Sequence, residues 1–213
     1  MAVEPGEWER IIEANPDHSR WYIQRFRDLE AAGDDIVGEA RLIDAMLPRG
    51  SRVLDAGCGP GRVGGYLQRV GHAVVGVDVD PELIAAARQD HPGATWIAAN
   101  LADLDLAAHD LPKPEGAEHE GAAARFDAIV CAGNVMTFLA PSTRVDVLRT
   151  FERHLDLDGR AVVGFGAGRG YAFEDFFADA ATAGLALDLS LATWDLRPFT
   201  DTSDFLVAVL RRG

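Results

Sequence analysis

From residue 52 to residue 184 the chain alternates short apolar runs with stretches of helical periodicity, and this alternation limits the possible folds more than any other feature. Residues 52–57 (RVLDAG), 72–78 (HAVVGVD), 94–100 (ATWIAAN), 126–132 (FDAIVCA) and 160–165 read as strands. Between them, Val63, Leu67 and Val70 mark a helix that Gly71 ends. Asp80 and Pro81 make an N-cap and first turn for a helix reaching about Gln89. Residues 142–155 bury Leu148, Phe151 and Leu155, and a turn at Asp158 and Gly159 leads into the fifth strand. Phe173, Phe176, Phe177 and Ala180 share a further helix that stops at Gly184. Strands separated by helices call for a parallel sheet with right-handed crossovers and helices on both faces. Two more β-patterned stretches, 186–194 and 204–210, follow each other with no helix between, so they pair or lie close as an antiparallel unit.

Residues 1–47 are helical in pattern. Trp8, Ile11 and Ile12 share one face; a second helix over 17–31 aligns Tyr22, Phe26 and Leu29; a third carries Ile36, Ala40, Ile43 and Leu47. Residues 106–125, rich in Ala, Glu, Gly and Pro, lack apolar periodicity and read as a surface loop. At 213 residues the chain is expected to be one domain, with 1–47 as a helical cap and 48–213 as the α/β core. The formal net charge of −14 repels polyanions, and Lys113 is the only lysine, so nucleic acid is excluded as a partner. No apolar run approaches the roughly 20 residues that cross a bilayer, which argues against a membrane. The N-terminal MAVEPGEWER lacks the features of a signal peptide. Cys58 and Cys131 lie in apolar runs without metal-ligand spacing, so a reducing, cytoplasmic setting and no metal are expected.

The stretch Val53-Leu54-Asp55-Ala56-Gly57-Cys58-Gly59-Pro60-Gly61-Arg62 lies at the first strand–helix turn, where doubly wound sheets bind their ligands. Glycines there admit positive φ and close approach of a ligand to the backbone. Asp78 ends the second strand, where a carboxylate can accept from ribose hydroxyls. Two readings compete. GPGRVG, from Gly59, satisfies GxGxxG with Asp78 19 residues on, which suggests a dinucleotide and an NAD(P)-binding oxidoreductase. But that match begins two residues late, and Asp55 in the last turn of the strand would repel a pyrophosphate. The same carboxylate suits an ammonium group, so the site looks built for adenosine plus a cation.

VLDAGCGPGR resembles the first signature of the class I S-adenosylmethionine-dependent methyltransferases. VVGVDVDPELIAAAR, IAANLADLDL, FDAIVCAGNVMTFL and LDLDGRAVVGF are similar to the segments that follow it in that family, over about residues 47–211. The resemblance implies a seven-stranded sheet of order 3-2-1-4-5-7-6 with the last strand antiparallel, S-adenosylmethionine as cofactor and S-adenosylhomocysteine as product. It also implies roles by position. Asp55, Gly57, Cys58 and Gly59 line the methionine part; Asp78 binds the ribose hydroxyls and Val79 packs beside the adenine. Asn100 and the backbone of Leu101 meet the adenine edge, and the Ala132 carbonyl faces the ammonium. The build looks like small stand-alone enzymes acting on small molecules, with a homodimer admitted.

Other candidates carry paired readings. Cys58 could be a nucleophile or a small residue packed under the glycine turn. Asp80 reads as a cap and His154 as a structural group near a helix C-terminus. Asn134 could touch substrate or cap its loop. The helix bearing Tyr22, Arg25 and Phe26 is either packing on the sheet edge or a lid, with Tyr22 or Arg25 reaching the methionine carboxylate. Trp194, Arg197 and Phe199 lie between the last two strands; with the penultimate strand parallel to the rest, they would wall the acceptor pocket. A non-catalytic cofactor-binding protein is the third alternative, and no general base is evident.

Overall fold

The computed structural model describes residues 3–109, 111 and 124–213. Seven strands form one sheet in the order β3-β2-β1-β4-β5-β7-β6. They are β1 (Arg52–Ala56), β2 (Ala73–Asp78), β3 (Thr95–Ala98), β4 (Phe126–Cys131), β5 (Leu155–Gly166), β6 (Leu185–Leu191) and β7 (Phe205–Arg212). β1 to β5 are parallel, and β7 enters antiparallel between β5 and β6. The topology is the one the resemblance implied.

The period of two along each strand divides the core. Leu54, Ala56, Val75, Val77, Ile129, Cys131, Val163 and Phe165 are buried on one face. They meet α7 (Arg144–His154) and α8 (Phe173–Thr182) through Val147, Leu148, Phe151, Phe176 and Ala180. Val53, Val74, Ala128, Val130 and Val162 are buried on the other, against α3 (Gly38–Met46) and α4 (Arg62–Arg69). Asp55 belongs to this second, otherwise apolar set by its place in β1, and it is almost fully buried.

Three elements depart from the sequence expectation. The fifth strand begins at Leu155, not at 160: Phe126 pairs with Leu155 and Ala128 with Arg160, so residues 156–159 bulge opposite Asp127 instead of forming a separate turn. Gly159 is required there because an added Cβ would lie 2.9 Å from the Phe126 carbonyl oxygen. β6 ends at Leu191, which leaves Trp194 in the connection. A short helix, α6 (Val135–Phe138), follows β4 and had no periodicity to announce it. In the expected loop over 106–125, Leu106–Ala108 forms a 3-10 turn; residues 110 and 112–123, with Lys113 and His119, lie outside the described residues.

The N-terminal helices α1 (Glu7–Ala14) and α2 (His18–Ala32) lie over the ligand end of the sheet, fastened to α5 (Pro81–Asp90). The fastener is Asp80. Its Oδ1 accepts from the N–H groups of Glu82 (2.8 Å) and Leu83 (3.4 Å), capping α5. Its Oδ2 accepts from Ser19 Oγ (2.5 Å) and Trp8 Nε1 (3.1 Å). Ile23 packs with Leu83 and Ala86 beneath it, and Arg27 pairs with Asp90 at 2.9 Å further along. No helix among the described residues is long and apolar enough to cross a membrane.

Candidate active site

The turn after β1 is held by the neighbouring strand. The N–H groups of Gly57 and Cys58 both donate to the Val77 carbonyl, at 2.8 and 3.0 Å. Gly57 has φ 76°, and a Cβ there would lie 2.3 Å from Val135 Cγ2, so only glycine lets α6 close over the turn. Asp55 reaches forward from β1 and accepts from the Gly64 N–H at 2.8 Å. This occupies a donor in the first turn of α4 with a carboxylate from the chain itself. A pyrophosphate seated on that helix end, as the GPGRVG reading requires, would meet Asp55 and be repelled. Burial raises the Asp55 carboxyl to about 7. Asp78 accepts from the N–H groups of Gly59 (2.8 Å) and Asp80 (3.0 Å), and burial raises it to about 6. Both acids are therefore poised to become fully ionised when a cation or hydrogen-bond donors arrive.

These groups border a cavity of about 460 Å³, within the range of about 300–1,000 Å³ usual for small-molecule sites. Asp55, Gly57, Cys58, Gly59, Asp78, Val79, Asn100, Leu101, Ala132, Asn134 and Tyr22 all line it, together with Arg25 and Phe26. Asn100 Oδ1 already accepts from the Ala102 N–H at 2.9 Å, which leaves a second lone pair free. Cys58 packs with Ile84, Ala87 and Trp96 beneath the turn, and burial pushes its thiol well above its ordinary value, so it is no nucleophile. Asn134 combines its two readings: it lines the cavity in a left-handed conformation (φ 66°) while its Oδ1 accepts from the Gly166 N–H at 2.8 Å. His154 is buried in the core, its Nδ1 2.8 Å from the Ala124 carbonyl, and burial lowers its pKa.

Trp194 and Arg197 do not line this cavity, which corrects the expectation for them. The connection does leave β6 at the ligand end, but β6 is the far edge of the sheet, and the segment closes on itself through Ala192 N–H to the Arg197 carbonyl (2.8 Å). Trp194 folds over β5 into the space left by Gly164, where a Cβ would lie 2.2 Å from its ring. Arg197 is exposed and paired with Asp195 at 3.5 Å, and Phe199 packs on Phe173.

Sequence reasoning missed much of the other end of the cavity. Glu4, Gly6, Trp8 and Glu9 come from the N-terminal segment; Gly133, Val135, Phe138, Leu139, Ala140 and Thr143 come from the stretch after β4; Arg169 follows β5. The Gly133-Asn134 pair, both with positive φ, was the one local signal of a sharp turn there. Gly6 lies against the Phe138 carbonyl, where an added Cβ would come within 2.5 Å, Trp8 meets the Phe138 ring edge-on at 6.0 Å, and Ser142 donates to Glu4 at 2.5 Å. The N-terminal segment thus bridges from α5 to the β4 side and lines the cavity from above. Among the described residues no group of His, Cys, Asp or Glu is arranged to hold a metal ion.

A doubly wound sheet of this order, with a glycine turn, a buried acid beneath it and a second acid ending β2, is the build of the methyltransferase class. The model of the methyltransferase domain family matches residues 53–159. A TehB-like S-adenosylmethionine-dependent methyltransferase from Corynebacterium glutamicum superposes with a TM-score of 0.84 at 50% identity, over 93% of this chain and 100% of its own. An uncharacterised methyltransferase from Synechocystis sp. is 29% identical over 110 residues, 51% of this chain and 52% of that protein. A malonyl-[acyl-carrier protein] O-methyltransferase from Pectobacterium atrosepticum is 33% identical over 85 residues, 39% of this chain and 31% of that protein. The chain therefore matches about half or less of the length of these two curated relatives. It belongs to the S-adenosylmethionine-dependent methyltransferases. Within that class it is similar, over 93% of its length, to the Corynebacterium protein. Family membership makes S-adenosylmethionine the cofactor and sets the oxidoreductase alternative aside.

Proposed function

We propose that this protein transfers the methyl group of S-adenosylmethionine to a nucleophilic atom of a small organic acceptor. The observation that carries the proposal is the continuity of one covered cavity. It runs from the Asp55 and Asp78 end to a largely apolar compartment of Val135, Phe138, Leu139 and Ala140 beneath the N-terminal segment. That enclosure suits a small molecule, and the net charge of −14 disfavours a nucleic acid.

In this reading Asp78 takes the ribose hydroxyls, and Val79, Asn100 and Leu101 surround the adenine. Asp55, the glycine turn and the Ala132 carbonyl receive the methionine ammonium, while Tyr22 and Arg25 cover that end from α2. Bound there, S-adenosylmethionine supplies a methyl already activated by its sulfonium charge. The chain's own contribution is alignment and exclusion of water. Trp8, Tyr22 and Phe26 cover the site with apolar surface, and the fixed turn after β4 sets where an acceptor can lie.

Calorimetric titration tests the cofactor reading: S-adenosylhomocysteine should bind and NADH should not. The lid is tested by hydrogen exchange, with amides of residues 8–31 expected to gain protection when S-adenosylhomocysteine is added. Unchanged protection there would reduce the N-terminal helices to scaffold.

A further inference from the structure

Three arginines line the cavity. Arg62 is neutralised by Glu39 at 2.5 Å. Arg25 lies over the rings of Trp21 and Phe26, at 5.9 and 5.7 Å. Arg169 has no carboxylate, hydrogen-bond acceptor or ring against it among the described residues. We infer that Arg169 grips a carboxylate on the methyl acceptor, so that the acceptor is a small organic acid. The inference rests on the methyltransferase reading above and adds the class of acceptor.

An exposed arginine is ordinarily just solvated, but this one is set in place by its surroundings. It lies between Gly168 (φ 71°) and Gly170 (φ 77°), two left-handed positions that reverse the chain just past β5. The reversal is pinned on both sides. The Ala167 N–H donates to the Asp204 carbonyl at 2.8 Å. Arg144 donates to the Gly170 carbonyl at 2.8 Å, its guanidinium 4.0 Å from the Tyr171 ring centroid. The Arg169 side chain turns back across the strand end, where its Nε would lie 3.4 Å from a Cβ on Gly166. Gly166 is the residue whose N–H holds Asn134. The guanidinium therefore stands on the β4–β5 side of the cavity, away from Asp78.

The chemistry of the compartment narrows the anion. A guanidinium offers paired, coplanar donors that match a carboxylate. Among the described lining residues one free cation balances one negative charge, and Glu4 is already offset by Arg10, so a phosphate dianion would be under-compensated. Val135, Phe138 and Leu139 give the same compartment apolar walls, which suit a carbon skeleton better than a bare inorganic ion.

The test uses the full chain and radiolabelled S-adenosylmethionine against a panel of small organic acids, each paired with its carboxamide. Label should enter acids at least about tenfold faster than their amides. Arg169→Gln should raise KM for the preferred acid by about tenfold or more, the loss expected for a charge-assisted hydrogen bond. Its kcat and its S-adenosylhomocysteine affinity should stay within about twofold, and Arg169→Lys should recover part of the loss. A second readout needs no turnover. In the S-adenosylhomocysteine complex, the Arg169 Nε–H resonance should shift on titration with benzoate and not with benzamide. Amides labelled as well as acids, an unchanged KM in Arg169→Gln, or no labelled acid in a protein that binds S-adenosylhomocysteine would each overturn the inference. Failure to bind S-adenosylhomocysteine would instead bring down the reading on which it rests.

Discussion

At the β1–β2 end of the cavity, every acidic or amide side chain that faces the ligand is already held by backbone. Gly64 holds Asp55, Gly59 and Asp80 hold Asp78, and Ala102 holds Asn100. At the β4–β5 end Gly166 holds Asn134, but Arg169 has no partner among the described residues, and Val135, Phe138 and Leu139 line the cavity there with apolar surface. Side chains fixed before a ligand arrives lose little freedom on binding and favour one ligand geometry. A side chain left without a partner has its hydrogen bonding completed by whatever enters. The first end is thus specified by the fold itself; on the reading proposed above, the second is left for the acceptor to complete.

The severest challenge to the fixed end is Gly57→Ala. The left-handed backbone costs a residue with a Cβ about 1–2 kcal/mol, and forcing that atom against Val135 costs about 1–3 kcal/mol more. A lower denaturant midpoint and loss of S-adenosylhomocysteine binding are expected; a variant as stable as the parent would mean that the turn can shift. Next in size is Asp78→Ala. It should weaken S-adenosylhomocysteine binding by about 1.5–3 kcal/mol, the worth of hydrogen bonds to a charged group, and leave the protein folded. Unchanged affinity by calorimetry would remove Asp78 from the ribose site.

The two acids also make the fixed end sensitive to pH. Asp55 stands at about 7 and Asp78 at about 6 in the ligand-free protein, above the unfolded value of about 3.9. The native state therefore binds more protons than the unfolded state between about pH 4 and 7, and these two groups make the free protein less stable as pH rises through that window. Binding runs the other way, because an ammonium group and ribose donors favour the ionised acids and protons must leave. Affinity should be flat above about pH 7.5, fall by up to about tenfold per pH unit between about pH 7 and 6 as Asp55 protonates, and by up to about a hundredfold per unit below about pH 6, where Asp78 protonates as well. Proton release should appear in calorimetry as a dependence on the buffer's ionisation enthalpy. Asp55→Asn should flatten both slopes; an unaltered profile would place the titrating group elsewhere. The smallest effect is expected at Arg197→Ala, which should leave melting temperature, cofactor affinity and acceptor KM unchanged. A clear rise in acceptor KM would return the β6–β7 connection to the pocket.

The same contrast explains what could be read from the sequence. The fixed end is written in consecutive residues: an apolar strand, then Asp55 and the glycine turn, then Asp78 closing the next strand. Strand order and cofactor were implied by the family resemblance that this segment and its successors carry. The acceptor end is assembled from pieces without a period of their own. α6 spans only Val135–Phe138, and Arg169 sits in irregular chain between two glycines. Trp194 and Arg197 lie at the ligand end of the sheet, as the strand direction requires, but on its far edge, where β6 holds them away from the cavity. The fact that decided the matter, a slot over Gly164 wide enough for an indole, arises from packing between distant segments.

Asp80 carries a consequence for the timing of turnover. One of its oxygens caps α5 and the other holds Ser19 and Trp8. Were α1 and the start of α2 to lift, water would replace the two bonds on the second oxygen, each worth about 1.5–3 kcal/mol as hydrogen bonds to a charged group, while the cap on the first would stay intact. Such an opening would also part Trp8 from Phe138 and Glu4 from Ser142, and it would leave the sheet and the glycine turn undisturbed. A carboxylate with its two oxygens divided in this way is built like the pin of a hinge clasp: a cover released at the second oxygen would leave the frame held by the first in place, and the cavity would empty and refill without the domain unfolding.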